Sequence, residues 1–238
     1  MPRFSDKIAL VTGASRGLGR AVGKALAREG AHVILAARRE GSLEELDDEI
    51  RADGGTATLV RLDLTASDKV DALGPSIYER WGKLDILVAN AGMLGPLSPI
   101  PHVSEDAWNT VLAINLTANF HLIRTLDPLL RHSEAGRAVF VSSGAAAAHN
   151  AYWGPYAASK AGLEALVKTY AHEIANTTVR ANLVNPGPVR TEMRQQAFPG
   201  EDPMTLPPPE EIAEKFLDVV DPTCTDNGCI FNFDYRQK

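Results

Sequence analysis

The chain has 238 residues, 45% of them hydrophobic, which is enough to bury one substantial core without splitting in two, so a single domain over residues 1–238 is expected. Charged residues make up 23% and the formal net charge is -6, which leaves no global basic field to attract nucleic acid or an anionic membrane. Any acidic partner would need a local basic patch.

The N-terminal stretch MPRFSDKIALVTGAS lacks the long apolar run of a signal peptide, and no segment reaches the roughly 20 apolar residues of a membrane span, so a soluble, cytoplasmic protein is expected. KIALVT (7–12) reads as a buried strand, GLGRAVGKALAREG (17–30) as a helix ended by Gly30, and HVILAA (32–37) as the next strand. The alternation continues with helix SLEELDDEIRAD, strand TATLVRL, helix DKVDALGPSIYERW, strand LDILVAN, a long helix from about Glu105 to Arg131, and strand RAVFVSS. Gly74-Pro75 should interrupt the third helix. The sequence shows no repeat or low-complexity tract, AAAA at 145–148 being too short to count as one. The segment after GPYAASK reads as a helix with an apolar stripe of Leu163, Val167, Tyr170 and Ile174. Strand TVRANLV (178–184), an irregular proline-rich stretch over 185–209, a short helix from Glu210 to Val220 and strand CIFNF (229–233) complete the chain. Cys224 and Cys229, the only cysteines, read as buried or idle thiols, because two cannot build a disulfide framework or a four-ligand zinc site. Strand and helix alternation of this kind predicts a doubly wound, Rossmann-type α/β fold with a parallel sheet of about seven strands.

The first strand runs directly into TGASRGLG (12–19), where Gly13, Gly17 and Gly19 allow a tight turn and the helix N-terminus offers unpaired N–H groups to a pyrophosphate. The spacing is G-x-x-x-G-x-G, so a plain strand-to-helix turn is the competing reading. The second strand ends ILAARRE: Ala36 and Ala37 supply no carboxylate for a ribose 2'-hydroxyl, whereas Arg38, Arg39 and the loop's Arg16 suit a 2'-phosphate. NADP(H) rather than NAD(H) is predicted, with Glu40 the one opposing sign. Tyr156 and Lys160 fall within roughly 40° of the centre of the apolar stripe on their helix. A lysine on a buried face needs a reason.

TGASRGLG, NAG at 90–92, Asn115, Ser143, YAASK and PGPVRT at 186–191 together resemble the short-chain dehydrogenase/reductase family, in its smaller single-domain branch. The resemblance spans nearly the whole chain, and TEMRQQAFPGEDP is similar to a bacterial subgroup whose substrates are poorly defined. It implies that Tyr156 is the general acid/base for a carbonyl–alcohol interconversion and that Lys160 holds the nicotinamide ribose. A free tyrosine has a pKa of about 10, so Lys160 is also expected to stabilise the phenolate. Ser143, by the same resemblance, hydrogen-bonds the substrate oxygen, with Ser142 expected on the opposite face of the strand. Asn115 is implied to help hold a water leading protons from the lysine to solvent; alone it would read as a packing residue or a helix irregularity.

The resemblance implies cofactor contacts from Gly13, Ser15, Arg16, Gly17, Leu18 and Gly19, from Arg38, and from Asp63 and Leu64, with Asp63 at the adenine amino group. Asn90, Ala91 and Gly92 would lie beside the adenosine ribose, and Pro186, Gly187, Val189 and Thr191 along the nicotinamide, with Tyr156 and Lys160 completing the set. Asp63 could equally cap the next helix. The chain ends FDYRQK without the Gly-Gly segment of many relatives. A homodimer through the helices of Asn115 and Tyr156 is therefore expected ahead of a homotetramer.

The substrate is expected against MLGPLSPIPHV (93–103), GAAAAHNAYWG (144–154) and the segment from Gly187 to Pro209, walls whose apolar character suggests a small to medium apolar ketone or aldehyde. His149 and Trp153 lie close in sequence to Ser143 and Tyr156, as a surface loop residue and a core residue or as substrate contacts. One alternative is a 3-oxoacyl thioester reductase serving an acyl carrier protein, for which Arg124, Arg131, His132 and Arg137 would be the basic surface. Another is a non-catalytic NADP(H)-binding sensor on the same fold, which would have no need of the phenol and the serine. No metal is predicted, because the histidines form no H-x-x-x-H pair, and SSGAA around Ser143 is not a hydrolase elbow.

Overall fold

The computed structural model describes residues 2–233. The chain starts β1 (Ile8–Thr12), α1 (Gly17–Arg28), β2 (His32–Ala37), α2 (Glu40–Ala52), β3 (Thr56–Arg61), α3 (Ser67–Asp71), α4 (Leu73–Trp81) and β4 (Ile86–Ala89). It continues with α5 (Glu105–Leu112), α6 (Ala118–Arg131), β5 (Arg137–Val141), α7 (Ala145–Ala148), α8 (Gly154–Glu173), β6 (Arg180–Asn185), α9 (Glu192–Ala197), α10 (Pro209–Val219) and β7 (Ile230–Asn232). Among the described residues the strands form one sheet in the order β3-β2-β1-β4-β5-β6-β7, and every pairing is parallel.

Parallel strands need crossovers on the faces of the sheet, so the inner strands are buried on both sides and read as continuous apolar runs. In β1 the two faces still separate by period two: Ala9 and Val11 pack with residues of α1, α2 and α10, while Ile8 and Leu10 pack with residues of α4, α6 and α8. The chain winds one way from β1 through β2 to β3 and the other way from β4 to β7. That reversal opens a crevice at the carboxyl ends of β1 and β4. At the opposite end of the sheet the buried Asp85 accepts from Ile8 N at 2.9 Å and Ser133 Oγ at 2.6 Å and pairs with Lys83 at 2.9 Å.

The structure corrects several expected elements. The helix over 68–81 breaks at Ala72 rather than at Gly74-Pro75. Pro75 stands in the first turn of α4, where its missing N–H has no intrahelical partner to lose. Gly74 lies so close to α6 that a Cβ there would come within 2.4 Å of the Thr125 carbonyl oxygen. The long helix is two α-helical pieces joined by a π-helical turn over Ala113–Thr117. The stretch expected to be irregular holds α9. The residues after Phe233 in the tail FDYRQK lie outside the described residues.

The basic residues that the acyl-carrier-protein alternative would require are largely engaged elsewhere. Arg137 is buried and donates to the carbonyls of Gly136, Thr178, Asp221 and Pro222. Arg124 pairs with Asp71, Arg131 pairs with Asp127 at 2.8 Å, and the His132 ring lies 5.8 Å from that of Tyr78. No described helix is long and apolar enough to cross a membrane.

Candidate active site

The carboxyl end of β5 and the first turns of α8 bring the candidate catalytic residues together. Pro155 sits in the first turn of α8, and Tyr156, Lys160, Leu163, Val167 and Tyr170 are all buried on one stripe of that helix. Lys160 is 3% exposed, donates from Nζ to the Val141 carbonyl at 2.7 Å, and has Nζ 5.8 Å from the centre of the Tyr156 ring. Burial lowers the Lys160 pKa to about 8, against an upward push from Glu164.

The Tyr156 phenol is not depressed as expected. Burial raises it above the ordinary tyrosine value, and the facing Ser143 hydroxyl only partly offsets this. The physical reason is that the phenolate would be desolvated, while the ammonium meant to support it is itself desolvated and spends a hydrogen bond on Val141.

Ser143 opens to the cleft, and its Oγ accepts from Ala145 N at 3.2 Å, which leaves the hydroxyl proton free to donate. Ser142 turns the other way, as strand alternation requires, and its Oγ donates to Glu164 Oε1 at 2.6 Å. Asn115 is fully buried in the π-helical turn. Its Oδ1 accepts from Met93 N at 2.9 Å, and its Nδ2 donates to Met93 O at 2.9 Å and to Ser159 Oγ at 3.0 Å. The side chain thus clamps the 90–94 loop to α8. The Asn115 carbonyl accepts from Asn119 Nδ2 at 2.8 Å. A Cβ on Gly92 would lie 3.4 Å from Asn115 Oδ1 and 3.6 Å from Lys160 Nζ, so the loop, the π-helical turn and the lysine meet at one point.

A cleft of about 490 Å³ runs from this point along the carboxyl ends of β1, β2 and β3. Gly13, Ser15, Arg16, Gly17, Leu18, Arg38, Asp63, Leu64, Asn90, Ala91, Gly92, Pro186, Gly187, Val189 and Thr191 all line it, as do Ser143, Tyr156 and Lys160. Gly19 and Asn115 stand behind its wall. Gly19 is needed there because a Cβ would meet Asn90 Nδ2 at 2.3 Å and Gly13 O at 2.4 Å. Gly13 and Gly17 have φ of +67° and +54°, and no side chain caps the N-terminus of α1. These features fit a dinucleotide: uncapped N–H groups for a pyrophosphate, Arg16, Arg38 and Arg39 near the ribose position, and Ala36 and Ala37 where a carboxylate would stand. Glu40 does not line the cleft but begins α2, with its carboxylate 4.0 Å from Arg61. Asp63 forms a local turn, accepting from Thr65 N at 2.9 Å and Thr65 Oγ1 at 2.8 Å, and does not cap the next helix. Those bonds hold its carboxyl below the usual range.

Beyond Tyr156 the cleft is apolar. Leu94 and Ala145 pack with Tyr156, and Trp153, Met193 and Ala197 close over them. The Trp153 ring lies edge-on to Tyr156 at 5.9 Å and against Phe198 at 5.7 Å. Arg194 covers Phe198 at 3.7 Å and forks onto Glu201. His149 is exposed, with φ of +51°, and does not line the cleft. Met193, Arg194 and Ala197 went unnamed in the sequence reading, although Thr191 caps α9 through Arg194 N and the helix formers that follow are a readable start signal. Among the described residues, no cluster of three or more His, Cys, Asp or Glu is placed to hold a metal ion.

Residues 7–202 match the family model for short chain dehydrogenases. The chain is 38% identical over 217 residues to YciK, an uncharacterized oxidoreductase of Escherichia coli, covering 90% of this chain and 86% of that protein. It is 34% identical over 190 residues to the 3-oxoacyl-[acyl-carrier-protein] reductase FabG of Salmonella typhimurium, covering 80% of this chain and 76% of that one. A Shigella flexneri chain described as a short chain dehydrogenase and solved with NADP superposes with a TM-score of 0.94 at 37% identity, over 98% of each chain. With the fold, the motifs in order and matches of this length in agreement, the chain belongs to the short-chain dehydrogenase/reductase family and is an oxidoreductase of the alcohol–carbonyl pair.

Proposed function

We propose that this protein interconverts a carbonyl and an alcohol with NADP(H) as hydride carrier, and that its substrate is a small to medium apolar ketone or aldehyde. The observation that carries the reading is the buried Tyr156 phenol, with the Ser143 hydroxyl facing it and the Lys160 ammonium one helical turn away, all lining the cleft of the glycine loop. The nicotinamide, when bound, supplies or accepts the hydride. Tyr156 gives a proton to the carbonyl oxygen in reduction, for which a raised pKa keeps it protonated. Ser143 donates its free hydroxyl proton to the same oxygen. Lys160 supports the phenolate that forms, and Asn115 in its π-helical turn takes the part the family resemblance gives it, helping to hold a water that returns the proton. Trp153, Met193, Ala197 and Leu94 exclude water from the reacting atoms.

Arg16 and Arg38, with no carboxylate in the cleft at the end of β2, support NADP(H) over NAD(H). The likeness to a chain solved with NADP supports the same choice. A homodimer through the helices of Asn115 and Tyr156 is supported by Trp108 and Phe120, which are 37% and 45% exposed on α5 and α6. A 3-oxoacyl thioester as substrate is favoured by the likeness to FabG. The pairing of Arg124 and Arg131 and the burial of Arg137 disfavour it, since they leave no basic face there for an acidic carrier.

Loss of NADPH absorbance with aldehydes, ketones, diketones and a 3-oxoacyl thioester tests the reading. Turnover greatest with the apolar ketones or aldehydes is expected. Saturable NADPH binding with no reduction of any of them would favour the sensor instead.

A further inference from the structure

Three consecutive residues at the carboxyl end of β5 each meet one of three residues spaced four apart on α8. The Val141 carbonyl accepts from Lys160 Nζ at 2.7 Å, the Ser142 hydroxyl donates to Glu164 Oε1 at 2.6 Å, and the Ser143 hydroxyl faces Tyr156. Tyr156, Lys160 and Glu164 therefore form one row along the helix, locked in register to the strand end. Glu164 is the member of this row that the acid/base reading leaves without a task.

We propose that Glu164 is a positioning residue of the catalytic row: held off by the Ser142 hydroxyl, its carboxylate keeps Lys160 charged beside Tyr156 without capturing it. The inference rests on the reading of Tyr156 and Lys160 as the acid/base pair. An ammonium 3% exposed with one carbonyl as hydrogen-bond partner is costly, and an opposite charge one turn away reduces that cost. A direct ion pair would do so too, but it would turn Nζ away from the phenol. Here Glu164 gives its oxygen to Ser142 and Lys160 gives its proton to Val141, so the two charges act on one another without a shared hydrogen bond.

Around Lys160, α8 presents Tyr156 and Glu164, β5 presents the Val141 carbonyl and the two serines, and the π-helical turn presents the neutral Asn115. Gly92 approaches from the loop after β4. Glu164, one turn along α8, is the carboxylate that favours the protonated lysine.

The test is the titration of Lys160 in the full chain, read from the carbon signal of [ε-13C]lysine and assigned with Lys160→Arg. It needs neither cofactor nor substrate, so it gives an answer even if no carbonyl compound is ever reduced. Glu164→Gln keeps an acceptor for Ser142 and removes only the charge. The wild-type midpoint is expected at about 8. In Glu164→Gln it should fall by about one pH unit, roughly tenfold weaker proton binding, with Glu164→Asp restoring part of the shift. Ser142→Ala, which frees the carboxylate to reach solvent, should shift it the same way by less. A helix-to-sheet staple with no electrostatic task would leave every midpoint in place, and a folded Glu164→Gln protein with an unmoved Lys160 overturns the proposal. Should that variant fail to fold, an unmoved midpoint in Ser142→Ala overturns it equally.

Discussion

Arg16, at the turn into α1, forms an ion pair with Glu192, the first residue of α9, so the glycine loop and the segment that closes the cleft are tied across the mouth of the site. Thr191 reinforces the tie, with its Cγ2 3.4 Å from where a Cβ on Gly17 would stand. Arg16, one of the guanidinium groups that line the cleft, is thus engaged by a carboxylate.

On the proposed NADP(H) reading, the 2'-phosphate competes with Glu192 for Arg16. Both side chains are 55% exposed, so the pair contributes no more than about 1 kcal/mol. Glu192→Gln should tighten NADPH up to about fivefold and leave NADH unchanged, whereas Arg16→Ala should weaken NADPH well beyond NADH. Dissociation constants from fluorescence titration check this; equal effects of Arg16→Ala on both dinucleotides would remove Arg16 from 2'-phosphate recognition.

Lys160 makes the site costly to the fold. Its folded pKa of about 8 lies below its unfolded value of 10.5, so between those values the unfolded chain binds more protons and stability rises with pH. Below about pH 8 the buried charge destabilises the protein by on the order of 3 kcal/mol. Lys160→Met should therefore raise the melting temperature at pH 7, raise it less above pH 10, and abolish turnover. Thermal melts across pH read this directly, and a lower melting temperature at pH 7 would refute it.

Asp85 works in the opposite sense, at the far end of the sheet. Burial pushes its carboxyl up, but the bonds from Ser133, Ile8 N and Lys83 outweigh burial and hold it below the ordinary value. Its contribution is present above the unfolded carboxylate pKa and is lost as the pH falls through the folded one. Asp85→Asn should cost roughly 1–3 kcal/mol at pH 7 and leave the protein less sensitive to acid, with NADPH affinity unchanged. Denaturant melts at pH 7 and pH 4 measure both effects.

The sheet was legible because parallel strands buried on both faces read as apolar runs: IALVT, HVILAA and RAVFV each lie within a strand. The row of Tyr156 and Lys160 was legible because a lysine on an apolar stripe is conspicuous. The π-helical turn at Asn115 was legible only as one of two readings, packing or a helix irregularity, because an asparagine suits both and the type of turn is set by which carbonyl each N–H reaches. The paired state of Arg124 and Arg131 was hidden for a different reason. Asp71 reaches Arg124 from another helix, a tertiary fact, although Asp127 four residues before Arg131 was there to be read. The raised Tyr156 pKa was missed because sequence spacing supplies the charge of Lys160 and says nothing of the burial that opposes it.

On the proposed mechanism the Tyr156 hydroxyl moves the proton, while its ring packs with Leu94 and Ala145 and against Trp153 whether or not the hydroxyl is present. The most direct measurement is NADPH-dependent reduction of the best apolar ketone or aldehyde by the wild type and by Tyr156→Phe, with NADPH affinity and melting temperature determined on the same samples. A loss of about 10²- to 10⁴-fold in kcat is predicted, with the melting temperature unchanged and NADPH affinity changed far less than kcat. Turnover in Tyr156→Phe equal to that of the wild type would contradict it.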